Sequence, residues 1–187
     1  MNSSKVQILD SFLSPAECSA IVEQIESMGF DNQFSGDGRL LRSRAQFEHF
    51  QLSLHLWTRL KPSLPRLTEI YGETFKPEPA PKRALESYVP VQLNERFRCY
   101  RYGSDEEFRR HQDFAHEYSD SKRTFLTVLV YLNAGYAGGE TLFEHVRVCP
   151  KLGMLAFFPH ELEHEGCKVL SGMKYTLRTD VVYESIS

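Results

Sequence analysis

"KYTLRTDVVYE", residues 174–184, alternates along its length. As a strand it puts Lys174, Thr176, Arg178 and Asp180 on one face and Tyr175, Leu177, Thr179 and Val181 on the other. Four polar residues in a row do not suit a core face, but they suit the wall of a polar pocket. Around this stretch lie further β-branched and aromatic runs cut by Gly, Asn and Pro: "RFRCYRY" (96–102), "RTFLTVLVYLN" (123–133), "TLFEHVRV" (141–148), "GMLAFFP" (153–159) and "CKVLSG" (167–172). Short strands at this close spacing predict a sandwich or jelly roll over about residues 85–187.

The preceding part reads differently. Val6–Leu9 is a short strand. Ser14 at N-cap, Pro15 at the first helical position and Glu17 at the third spell a capping box. Cys18, Ile21, Val22, Ile25 and Met28 follow at helical spacing until Gly29. Residues 31–46, rich in Gly and charge, read as a loop. Phe47, Phe50, Leu54 and Trp57 step at helical intervals, so a second helix is expected from Phe47 to about Pro62, with His49 and His55 on its polar face. "KPEPAPKR" (76–83) is an extended connection. The helical part, about 1–84, is too small and amphipathic to stand alone. The expected class is therefore α+β: one domain, a jelly roll with N-terminal helices packed on one sheet.

The 187 residues suffice for one domain with a core, and 41% apolar and 25% charged residues are ordinary for a globular chain. A net charge of −3 gives no basic stripe for nucleic acid and no polybasic patch for a membrane. "MNSSKVQILD" lacks a secretory apolar segment, and no run approaches the ~20 residues that span a bilayer. Cys18, Cys99, Cys149 and Cys167 are scattered without a CxxC, which reads as reduced thiols in a cytoplasm.

"RRHQDFAHEY" (109–118) places His111 and Asp113 two residues apart, hence on one face of a strand. A His-x-Asp triplet arises by chance in many chains, and it needs a third ligand to mean a metal. His116 sits in a polar loop, His145 alternates within a strand run, and His160 and His164 lie four apart in "PHELEHEG". Four apart on a helix would make a zinc pair, although Pro159 and the short run to Gly166 argue against a helix there.

"HEGCKVLSGMKYTLRTD" (164–180) decides between them, because here the chain resembles the prolyl 4-hydroxylase branch of the Fe(II)- and 2-oxoglutarate-dependent dioxygenases. Other segments are similar in the same order: "ILDSFLSPAECSAIVEQIE" (8–26), "YRYGSDEEFRRHQDF" (100–114), "RTFLTVLVYLNAGYAGGETLF" (123–143) and "CPKLGMLAFFP" (149–159). The resemblance implies a double-stranded β-helix in which His111, Asp113 and His164 bind Fe(II). Two neutral imidazoles and a carboxylate on one face of an octahedral ion leave three positions open. It also implies that 2-oxoglutarate and O2 fill them, giving succinate, CO2 and an oxidant for an unactivated C–H bond, with ascorbate as an accessory reductant. Lys174, ten residues past His164, matches the lysine that anchors 2-oxoglutarate. Tyr102 matches a tyrosine that hydrogen-bonds it, and Thr127 and Thr141 lie nearby in the family pattern. Arg123 matches a substrate-contacting arginine.

One position departs from that pattern. Collagen-type relatives carry a tryptophan six residues after the lysine, where this chain has Asp180. Arg178 and Asp180 are therefore candidate substrate residues or an ion pair at the pocket rim. An unpartnered carboxylate would favour a basic or polar substrate. The substrate expected is an amino acid, peptide or protein side chain, with no role for nucleic acid or membrane. "LESYVPVQLNE" (85–95) corresponds to a segment that folds over substrate in the family. Two other readings stand beside this one. A cupin-like zinc enzyme would need neither Lys174 nor Tyr102, and a binding module would keep the fold without turnover.

Overall fold

Ser14 starts the first helix by the bonds its sequence spells. Its hydroxyl accepts from the Glu17 amide at 3.2 Å, while the Glu17 carboxylate accepts from the Ser14 amide at 2.7 Å. The Ser14 amide first, then the Ser14 hydroxyl, with lesser help from His55 and Arg59, hold the Glu17 carboxyl down to about 2. Ser14→Ala removes the hydroxyl but keeps the Ser14 amide, and is expected to cost about 1 kcal/mol of unfolding free energy, read by urea titration at neutral pH. The Glu17 carboxyl is depressed on folding, so its contribution is present above its unfolded pKa of 4.5 and fades as pH falls toward 2. The wild type should therefore lose part of its advantage over the variant in acid.

The computed structural model describes residues 5–66 and 87–186. Within them β1 (Gln7–Leu9), α1 (Pro15–Met28), β2 (Asp31–Phe34), β3 (Leu40–Glu48) and α2 (Phe50–Leu60) precede the strand-rich part. There follow β4 (Ser87–Leu93), β5 (Arg96–Tyr102), β6 (Phe108–His111), β7 (Glu117–Ser119), β8 (Lys122–Tyr131), β9 (Ala137–Gly138) and β10 (Thr141–Phe143). The last are β11 (Arg147–Val148), β12 (Leu155–Pro159), β13 (His164–Gly166), β14 (Val169–Ser171) and β15 (Lys174–Ile186).

The major sheet runs β1-β12-β8-β15-β5-β3-β2, with β4 on the far half of β15 and β7 on β8. The minor sheet runs β11-β10-β13-β6. All the pairings are antiparallel, and the two sheets make the expected jelly roll. On the outer face of the major sheet Phe97, Cys99, Val128, Val130, Leu177 and Val181 are buried. They share one core with Cys18, Ile21 and Ile25 of α1 and Leu56 and Leu60 of α2. The helices thus cover one sheet, and that leaves Arg98, Tyr100, Tyr102, Lys174, Thr176 and Arg178 on the inner face, toward the minor sheet.

Three expectations change. The stretch 31–46 is no loop: β2 and β3 form a hairpin that extends the sheet beyond β5. Its buried positions are the small Ser43 and Ala45, which carry little β signal, while Arg42, Arg44 and Gln46 alternate with them. Phe47 accordingly belongs to β3, stacked on Phe97 at 5.6 Å. The second helix starts only at Phe50, where the Nδ1 of His49 accepts from the Leu52 amide as N-cap. Finally, residues 87–93 of the supposed lid form β4, hydrogen-bonded along Val181–Ile186. A strand with Tyr88 and Leu93 buried does not swing over a substrate. The proline-rich connection 76–83 and the start of that segment, 85–86, lie outside the described residues.

Candidate metal and 2-oxoglutarate site

β6 ends where β13 begins, and their register sets His111 directly opposite His164. Asp113 follows in the turn, pinned by a bond from its amide to the His160 carbonyl at 2.9 Å. The donor atoms of His111, Asp113 and His164 all lie within 4.8 Å of one another. Each imidazole donates its Nδ1–H to a carbonyl, Arg109 for His111 and Leu162 for His164, both at 2.8 Å. The tautomer is thereby set, and each Nε2 lone pair points inward, 3.8 Å from a separate oxygen of Asp113. Burial pushes both imidazole pKa values down, so the rings are neutral donors at neutral pH.

Burial alone would raise the Asp113 carboxyl, but Arg178 at 3.1 Å, His164 and Thr127 hold it below its ordinary value. The Thr127 hydroxyl donates to Oδ2 at 2.5 Å. Two neutral nitrogens and one charged carboxylate, each oriented by a second hydrogen bond, suit the facial site of non-haem Fe(II). The other histidines are not placed to join them. His160 is buried, with Nδ1 on Thr127 at 2.9 Å and Nε2 on Thr124 at 3.0 Å, and burial lowers its pKa to about 4. His145 is exposed beside Glu144 and His116 stands against Tyr118. No helix joins His160 to His164; β12, a turn and β13 do. Among the described residues Cys167 is free and outside the cluster.

The three donors open onto a cleft of about 400 Å³ including its mouth, walled by Tyr100, Phe108, Leu129 and Phe158 and also lined by Tyr102, Thr127, Thr141, Thr176 and Lys174. Lys174 is buried, and its ammonium donates to the Gly139 carbonyl at 2.6 Å. That bond depends on a close approach of backbone: a Cβ at Gly139, whose φ is +70°, would meet Lys174 Cδ at 3.0 Å. An ammonium has three donors, and burying it with one of them bonded is costly unless an anion joins it. Burial pushes its pKa down to about 8. Lys174 and the three metal donors line one cleft, an arrangement whose chemistry suits the two carboxylates of 2-oxoglutarate.

The remaining expected residues are distributed as follows. Tyr102 lies under the Lys174 ammonium, 5.1 Å from ring centroid to Nζ. The Thr141 hydroxyl bonds Tyr131 at 2.7 Å at the same end. Thr127 lines the cleft, but its hydroxyl serves Asp113 and His160 rather than the lysine end. Arg123 pairs with Glu117 at 3.3 Å, packs on Phe125 and does not line the cleft. Asp180 is buried and partnered by Arg178 at 3.0 Å and Arg98 at 3.6 Å, so no unpartnered carboxylate waits for a basic substrate. Tyr100 and Phe108 were not foreseen. Tyr100 was readable as the companion of Tyr102 in "RFRCYRY", whereas Phe108 shows its role only by stacking on His111 at 3.9 Å.

Residues 97–179, the span that holds all these cleft residues, match the model of the 2OG-Fe(II) oxygenase superfamily. That span is similar to the 2OG-Fe(II) oxygenase superfamily. No curated protein matches this chain, but solved structures share its fold. A viral collagen prolyl hydroxylase from Paramecium Bursaria Chlorella virus-1 is 19% identical with a TM-score of 0.61, over 98% of this chain and 97% of that one. A Pseudomonas putida prolyl-4-hydroxylase is 16% identical with a TM-score of 0.59, over 96% and 92%. A Trichoplax adhaerens prolyl hydroxylase, solved with a hypoxia inducible factor oxygen degradation domain peptide fragment, is 17% identical with a TM-score of 0.60, over 96% and 84%. Likeness to that superfamily implies Fe(II), 2-oxoglutarate and O2, and the grouped donors His111, Asp113 and His164 fit them. The cupin-like zinc reading loses its ground, since Lys174 and Tyr102 line the cleft it would leave idle. Among the described residues no helix is long and apolar enough to cross a membrane.

Proposed function

We propose that this protein hydroxylates a side chain of a peptide or protein, with Fe(II) on His111, Asp113 and His164 and 2-oxoglutarate on Lys174. The observation that carries the reading is the buried Lys174 ammonium, one donor bonded, lining the same cleft as the three metal donors. The cited neighbours named as prolyl hydroxylases, one of them holding a peptide, support a peptidyl target over a free amino acid. When bound there, Fe(II) with 2-oxoglutarate and O2 would supply the oxidation of an unactivated C–H bond, with succinate and CO2 as the other products.

The chain's own residues then have distinct tasks. The Arg109 and Leu162 carbonyls hold the two imidazoles in one tautomer. Thr127 and Arg178 keep the Asp113 carboxylate charged and aimed. Tyr102 and Thr141 shape the lysine end, while Phe108 and Phe158 pack on His111 and His164 and, with Leu129, wall the cleft against water. Ascorbate belongs to the same reading as an accessory reductant, and the cytoplasm as the compartment. Thr127→Val removes one bond to Asp113 and is expected to weaken Fe(II) binding about 10- to 100-fold, as loss of an outer-shell partner does. Equilibrium titration with Mn(II) as a stable substitute reads this without turnover. The function itself is tested by incubating the protein with Fe(II), 2-oxoglutarate and a peptide library. Succinate should form in step with a one-oxygen mass gain on some peptides. Succinate with no oxidised peptide from any pool, but with an oxidised free amino acid, would overturn the peptidyl target.

A further inference from the structure

The inner face of the major sheet continues past the cleft onto β5 and β3, and there it carries arginines. Register sets Arg44 opposite Tyr100 and Gln46 opposite Arg98, while Arg178 of β15 faces Arg98 from the other side. Directly paired residues of antiparallel strands share a face, so Arg44, Arg98 and Arg178 surround Tyr100, a wall of the cleft. Arg42 joins them, its guanidinium 3.5 Å from the Phe108 ring centroid and 5.6 Å from that of Tyr100. Phe108 also stacks on His111 at 3.9 Å with the rings 12° from parallel. One ring face cannot hold both groups at such distances, so Phe108 is sandwiched between Arg42 and His111. The two spacings put the Arg42 guanidinium about 7 Å from the His111 imidazole.

These cations are not matched. Arg178 is engaged by Asp113 and Asp180. Arg98 approaches Asp180 only at 3.6 Å, and its buried Nη1 has no hydrogen bond. Among the described residues Arg42 forms no ion pair and its buried Nε has no partner, and Arg44 forms no ion pair either. With Fe(II) and 2-oxoglutarate bound, the metal's two charges meet the two of the co-substrate, and Asp113 and Asp180 meet Lys174 and Arg178. Arg42, Arg44 and Arg98 are left over. Asp31, opposite Arg44 on β2, can offset one of them, so positive charge remains at the mouth of the loaded site.

Resting on the peptide-hydroxylase reading, we propose that Arg42, with Arg44 and Arg98, forms an anion subsite, and that the peptide hydroxylated here carries an aspartate or glutamate about two residues from its target. A guanidinium fork matches a carboxylate bidentately. An extended chain advances about 3.3–3.6 Å per residue, so about 7 Å from the His111 ring is two residues of travel. The assignment reverses the basic substrate preference that an unpartnered Asp180 would have implied.

The test uses three pools of ten-residue peptides, every residue type at the centre and Asp, Ala or Lys fixed two residues to each side. Each pool is hydroxylated by the Fe(II)-loaded protein, and separately captured on immobilised protein loaded with Mn(II) and 2-oxoglutarate without O2. The Asp pool should lead the Lys pool at least about tenfold in both readouts, the scale of a charge-assisted hydrogen bond. Arg42→Gln should bring the Asp and Ala pools within about twofold, and Arg42→Glu should turn the preference toward Lys, an inversion that misfolding cannot produce. Hydroxylation or capture indifferent to the fixed charge overturns the subsite and leaves the hydroxylase reading intact. If no pool is hydroxylated, the peptide reading fails and capture alone decides the subsite. A single-stranded oligonucleotide that displaces the Asp pool more strongly than an acidic peptide does would also overturn it.

Discussion

Substituting His164 by alanine is expected to remove 2-oxoglutarate turnover altogether, at least about a hundredfold, while leaving the domain folded. The expectation exceeds the 10- to 100-fold loss typical of an outer-shell partner, because His164 is one of the three donors proposed for the metal among the described residues. The fold should survive because His164 opens β13 at its pairing with β6, and the backbone bonds of that ladder do not need the ring. Burying a neutral imidazole next to Phe158 and Phe143 does contribute packing. A stability loss of about 1–3 kcal/mol is expected and is checked by urea unfolding alongside the assay. His160→Ala is the contrast: it removes both threonine bonds from a core position and should lower stability without removing a metal donor. Full turnover in His164→Ala with loss in His160→Ala would reverse the ligand assignment.

Lys174→Ala is expected to raise the 2-oxoglutarate concentration needed for half-maximal turnover by about 10- to 150-fold, the value of one charge-assisted hydrogen bond of about 1.5–3 kcal/mol. Fe(II) affinity should change little, since Lys174 is not among the donors. Unfolding stability without 2-oxoglutarate should hold or rise, because a buried ammonium with one bonded donor costs free energy in the empty protein. That combination, weaker co-substrate binding with an equal or better fold, is the signature of a group kept for a ligand. Arg178→Ala is the comparison. Arg178 holds Asp113 and Asp180, so its loss should weaken the metal more than the co-substrate. A larger 2-oxoglutarate defect in Arg178→Ala than in Lys174→Ala would move the anchor to Arg178.

The jelly roll and the lysine end of the site were legible because both rest on alternation. β15 shows Lys174, Thr176, Arg178 and Asp180 on one face at a glance. The third metal ligand was not legible from spacing, since His160 and His164 are equivalent until something distinguishes them. The resemblance pointed to His164, and the structure groups His164 with His111 and Asp113, whereas two threonines bond the nitrogens of His160. β3 was missed because its buried face is built from Ser43 and Ala45, and with it the arginine row was taken for solvated loop. Arg42 lies 66 residues before Phe108 in the chain, and the β3–β5 register together with the bond from the Glu107 amide to the Leu41 carbonyl brings them together. Asp180 was correctly set on the polar face, but its arginine partners, Arg178 two residues away and Arg98 on the neighbouring strand, settle its charge without a substrate.

The most direct test of the whole account is an anaerobic optical titration of Fe(II) into the purified protein with 2-oxoglutarate present. A 2-oxo acid chelating Fe(II) gives a visible charge-transfer band that neither component gives alone. This band should grow to saturation at one iron per chain in the wild type, need far more 2-oxoglutarate in Lys174→Ala, and be absent in His164→Ala. A band of undiminished strength in His164→Ala, or no band in wild-type protein that demonstrably holds one iron, would contradict it.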